Sequence, residues 1–120
     1  MPFKPLLKTM LERVPGAQGA IVADWEGEAV DQFGVMDEFD LKIIGAHQGV
    51  ILHNMQQVVD RLGDDDQLKE VVITTERGQT LILPVTRDYF LVLTLNRTDV
   101  LGKALFEARR CIRALYQEIA

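Results

Sequence analysis

At 120 residues the chain fits one domain spanning 1–120, and a domain of this size buries roughly two-thirds of the surface that its unfolded form exposes, so it needs no covalent or metal staple. Its single cysteine, Cys111, excludes an intramolecular disulfide, and there is neither an apolar run long enough to span a bilayer nor a basic, apolar leader, so a reducing cytoplasm is the expected compartment. With 18 acidic against 13 basic residues the formal net charge is −5, which argues against a nucleic acid or another polyphosphate as partner.

Phe3, Leu6, Leu7, Met10, Leu11 and Val14 recur at helical spacing, with Pro5 in the first turn where its missing N–H costs little, and Pro15-Gly16 ends this first helix. Residues 17–24 hold the run Ala20-Ile21-Val22-Ala23, too short for a helix and apolar on both alternating faces, which predicts a strand buried on both sides. Asp24-Trp25-Glu26-Gly27 turns the chain, Gly27 being able to take a positive φ, and residues 28–33 run back as a second strand.

A long helix is expected to open at Asp37 or Asp40 and to close at Gly63. Leu41, Ile44, Gln48, Ile51, Met55, Val58 and Leu62 alternate three and four apart, which places them on one stripe expected to pack on the sheet. Asp64-Asp65-Asp66 follows and reads as a solvated loop, since no matching cation ligands lie nearby. Three strands come next, over 68–76, 79–86 and 89–95, joined by Arg77-Gly78 and Arg87-Asp88 turns. Leu81-Ile82-Leu83 and Phe90-Leu91-Val92-Leu93 are apolar on both faces, so helices must cover both sides of the sheet, while Pro84 marks a local irregularity because it cannot donate to a ladder. The last helix runs from about Asp99 to Ile119 with Thr98 as its cap. Leu101, Leu105, Ala108, Ile112, Leu115 and Ile119 lie on one stripe of it. Its basic residues, Lys103, Arg109, Arg110 and Arg113, read as a solvated face.

No catalytic constellation emerges. His47 and His53 lie six apart on a helix, about 240° around its axis, and cannot share a metal. The chain has no serine, no phosphate-cradling Gly-rich turn followed by Lys-Ser or Lys-Thr, and no partner for Cys111, which reads as an inert buried thiol. No cofactor and no metal are expected.

Function must therefore be argued from surfaces. With the sheet-facing stripe assigned, the long helix still carries Phe39, Ile43, Ala46 and Val50 on roughly the opposite side, at about 100° per residue. A third sector holds Gly45, Gly49, Leu52, Gln56 and Val59. Two missing side chains there would let another helix approach, against an accidental propensity cost of about 1 kcal/mol per glycine. The strand over 68–76, with Leu68, Val72 and Thr74, is the natural sheet edge, and pairing two copies would satisfy its free backbone groups.

The Gly16-Ala17-Gln18-Gly19-Ala20 opening, Asp24 and Gly27 at the first turn, Arg77-Gly78 at the later hairpin and the stretch 84–95, in this order, resemble the roadblock (dynein light chain) family, including bacterial members. Trp25 departs from the pattern, where a small or polar residue is expected, and reads either as a residue packed on neighbouring turns or as a partner anchor. The resemblance implies an α/β (α+β) three-layer α/β/α sandwich with a five-stranded antiparallel sheet in the order α-β-β-α-β-β-β-α. It further implies a homodimer that fuses two sheets through the third strand, with the long helices side by side. It also implies a non-enzymatic regulator of a small Ras-like GTPase that stimulates GTP hydrolysis in polarity or motility signalling, or else a scaffold without effect on the GTPase. On this reading the second copy meets Gly45, Gly49, Leu52, Gln56, Val59, Leu68, Val72 and Thr74. The GTPase meets Phe39, Ile43, Ala46 and Val50, rimmed by Lys42, Gln57 and Arg61.

Overall fold

The computed structural model describes residues 3–26, 28–63 and 65–119. Eight elements follow one another: α1 (Lys4–Arg13), β1 (Ala17–Asp24), β2 (Ala29–Gly34), α2 (Glu38–Leu62), β3 (Val71–Thr74), β4 (Gln79–Pro84), β5 (Tyr89–Leu95) and α3 (Leu101–Ile119). The strands form one antiparallel sheet in the order β2-β1-β5-β4-β3, which leaves β2 and β3 as edges. This is the expected α-β-β-α-β-β-β-α sandwich.

The two-sided apolar runs divide by strand alternation. Ala20, Val22, Leu81, Leu83, Leu91 and Leu93 point to one face and meet Phe3, Leu7 and Met10 of the α1 side and Ala104, Ala108 and Leu115 of α3. Ile21, Ala23, Ile82, Phe90 and Val92 point to the other and meet Leu52 of α2. Each strand thus feeds two cores, which is why these runs lack polar alternation.

Local chemistry sets the corners. Gly16 takes a left-handed φ of 80° after Pro15. Asp24 closes the first turn by accepting the Glu26 and Glu28 N–H groups at 3.0 Å each, while the positive φ expected of Gly27 falls outside the described residues. Thr75 N–H donates to Gly78 O at 2.9 Å at the β3–β4 turn. Asp37 caps α2, its carboxylate accepting the Phe39 N–H at 3.1 Å. Asp37→Ala should lower stability by about 1 kcal/mol in urea titrations, as loss of such a cap does elsewhere.

Several expected boundaries shift, and β3 ends at Thr74 rather than at Glu76. β3 starts at Val71, opposite Ile82, rather than at Leu68. Val85 N–H donates to Tyr89 O in β5, so by alternation the nitrogen of Pro84 faces the β3 side. It carries no hydrogen, and the ladder cannot extend to the residues opposite it. Pro84 is the last residue of β4, so the strand expected over 79–86 also ends early. The start of α3 moves as well: Ala104 N–H donates to Val100 O and the helix begins at Leu101, so Thr98 lies too far upstream to cap it.

Candidate protein interaction surface

The long helix α2 has 25 residues and spans about 38 Å, whereas an eight-residue strand such as β1 spans about 27 Å. The helix therefore outruns the sheet. It packs mainly over β1, with β2 and β5 to either side. Its buried residues are Leu41, Gly45, Gly49 and Leu52. A Cβ on Gly45 would stand 2.9 Å from Ile21 Cδ1, and one on Gly49 would stand 3.1 Å from Phe90 Cζ. The two glycines thus let the helix settle onto the sheet of its own chain.

This corrects the helix–helix seam expected at Gly45, Gly49 and Leu52. Those three residues are buried within the chain, and Gln56 and Val59, on the same sector, are half-buried. The stripe expected to face the sheet is rotated off it. Leu41 is buried and Ile44, Gln48 and Ile51 are half-buried, but Met55, Val58 and Leu62 are 40%, 50% and 76% exposed. Ile44 and Ile51 pack against the apolar cluster that also receives Leu68, Val71 and Ile73 from the β3 side. The rotated stripe is therefore an apolar flank running from the cluster out to solvent.

The residues expected on the outer side of α2 are exposed. Phe39 is 65% and Val50 62% exposed, Ile43 and Ala46 are exposed beside them, and Lys42, Gln57 and Arg61 are exposed around them. Lys42 pairs with Glu38 at 3.3 Å one turn away. Exposed apolar side chains on a helix already seated by its other face mark a surface available to a partner. At the sheet edge, Val72 is half-buried and Thr74 exposed on β3, and Leu68 precedes the strand.

Groups with chemical potential are dispersed. His47 and His53 are exposed, and the His53 ring meets the Gln57 amide at 3.3 Å one turn along the helix. Asp65 and Asp66 are exposed, Asp64 lies outside the described residues, and no group of three or more His, Cys, Asp or Glu is placed to hold a metal among those described. Nor is any helix of the described residues long and apolar enough to cross a membrane. Trp25 is half-buried and tilted against Phe90, with ring centroids 5.7 Å apart, so it packs on the sheet end while keeping part of its surface free.

Cys111 is buried on α3, and burial, with the nearby Glu107 carboxylate adding to it, pushes its pKa from 9.0 up to about 12. The thiol stays protonated and unreactive at neutral pH. Between these two values the unfolded thiol loses its proton while the folded one keeps it. The folded state then binds more protons, and stability falls as pH rises through that window. Urea midpoints should drop more steeply above pH 9 for the natural chain than for Cys111→Ala, and equal slopes would contradict this assignment.

Comparison with known proteins agrees with this architecture. The chain superposes on a Roadblock/LC7 domain from Streptomyces avermitilis with a TM-score of 0.86 at 15% identity, covering 97% of this chain and 96% of that one. The gliding protein MglB from Thermus thermophilus gives 0.84 at 21% identity over 97% and 88% of the two chains. MglC from Myxococcus xanthus gives 0.72 at 26% identity over 98% and 99%. No curated protein matches the sequence significantly. The family model of the Roadblock/LC7 domain matches residues 6–95, three-quarters of the chain, and the chain belongs to that family.

Proposed function

We propose that this protein is a non-enzymatic cytoplasmic homodimer that binds a small Ras-like GTPase and stimulates its GTP hydrolysis, in signalling of the polarity or motility type. The observation that carries the reading is the exposed apolar sector of Phe39, Ile43, Ala46 and Val50 on a helix whose opposite side is committed to the sheet. Membership of the family and the fold likeness to MglB support it. Stimulation would act by ordering the GTPase's own machinery, since the arginine that stabilises the transition state can be supplied in cis.

The second copy is assigned to the free edge of β3, with Val72, Thr74 and the preceding Leu68, and to the α2 flank of Ile44, Ile51, Met55, Val58 and Leu62. The flank replaces the glycine sector in this role. It is apolar, continuous with the cluster beneath β3, and half to three-quarters exposed at Val58 and Leu62. Sedimentation should show a dimer at micromolar concentration that Val58→Asp converts to monomer; a monomeric natural chain would remove the assignment. Titration calorimetry against a Ras-like protein loaded with GTP or GDP tests the function. Preference for the GTP form and faster hydrolysis support regulation, whereas equal affinity with unchanged hydrolysis would favour a scaffold.

A further inference from the structure

The late start of β3, at Val71, has a spatial consequence at the sheet end. Where β4 continues past Ile82 with β5 on one side and no strand on the β3 side, a groove of about 930 Å³ opens between the 67–70 segment, the β4–β5 turn and α3. This is at the upper end of the range for ligand clefts, about 300–1,000 Å³. Pro84, Val85 and Ile112 give it apolar walls.

Its charge is the reverse of the protein's. Lys69, Arg87, Arg109 and Arg113 line it, against Glu70 alone of the acidic residues among those described. Glu70 is committed to an ion pair with Arg109. Lys69, Arg87 and Arg113 are exposed and make no ion pair among the described residues. In a chain of net charge −5, three unpaired cations converging on one apolar-walled groove form a local positive field that selects for carboxylates. A polyphosphate chain fits less well, because it would run out of the groove over an acidic surface and leave the apolar walls unused.

We propose that this groove docks an acidic peptide segment of a partner protein, its carboxylates meeting Lys69, Arg87 and Arg113 and an apolar side chain resting on Val85 and Ile112. The site is separate from the outer face of α2, shares only Leu68 with the surface assigned to the second copy, and does not depend on the GTPase reading.

Fluorescence anisotropy with a labelled Glu-Leu repeat peptide of about a dozen residues tests it on the full chain. Saturable binding is expected, and Arg87→Glu with Arg113→Glu should weaken it at least about tenfold. Arg113→Gln alone, which keeps helix propensity, should weaken it several-fold and guards against misfolding of the double variant. Arg110→Glu serves as the control, since Arg110 carries the same charge on the same helix but lies outside the groove. Absence of binding, equal weakening by Arg110→Glu, or equal affinity for an all-glutamate peptide would overturn the proposal. So would tighter binding of an oligothymidylate of matched charge.

Discussion

Gly45→Leu should destabilise the folded chain by about 3 kcal/mol or more, because overpacking of this kind typically costs about 1–3 kcal/mol even without a backbone held in place. A Cβ at this position already stands 2.9 Å from Ile21 Cδ1, and Ile21 is itself fully enclosed between α2 and the sheet. The three further carbons of a leucine have nowhere to go unless the helix lifts, and lifting it would unseat Leu41 and Leu52 together. Gly49→Ala should behave differently. Its Cβ would meet the outer ring atom Phe90 Cζ at 3.1 Å, and a small ring shift sets that strain against about 1 kcal/mol of improved helix propensity. Urea titration of the two variants separates them. A Gly45→Leu chain of undiminished stability that had merely lost its dimer would return the glycines to the helix–helix seam.

The same pair of residues shows where sequence reasoning stopped. A missing side chain declares that something comes close, but periodicity does not say what. Around α2, the Leu41–Leu62 stripe and the Gly45–Val59 sector are both apolar enough to face a core, and they lie only a fraction of a turn apart. The sheet chose the sector with the glycines because closer approach buries Ile21 and Phe90 more completely, and the richer stripe was left as the flank. By contrast, β1 and β5 were legible residue for residue, since a run that is apolar on both faces and too short for a helix has one solution in a sheet covered on two sides. The length of β3 was not legible in β3 itself. Its limit comes from the missing N–H of Pro84 on the neighbouring strand, a property of the pairing register that only the folded sheet reveals. The groove beside α3 follows from that limit, which is why Lys69, Arg87 and Arg113 could not be read as neighbours from their separation in the chain.

Val50→Asp should weaken binding of a GTP-loaded Ras-like protein by about 2 kcal/mol or more, roughly thirtyfold, because the apolar centre of an interface concentrates its energy. Val50 is 62% exposed and points away from the sheet, so the carboxylate it gains is solvated in the free protein and costs the fold little. On binding, the same carboxylate would have to be stripped of water against an apolar partner surface without a paired cation. Ile43→Asp should act in the same direction, whereas Gln57→Ala at the rim should change affinity by much less than about 1 kcal/mol. Dimerisation should survive Val50→Asp and fail in Val58→Asp, since the first lies on the outer face and the second on the flank. Calorimetry and sedimentation on the two variants therefore read the two surfaces independently. Unchanged affinity in Val50→Asp, with the dimer intact, would move the GTPase off the outer face of α2.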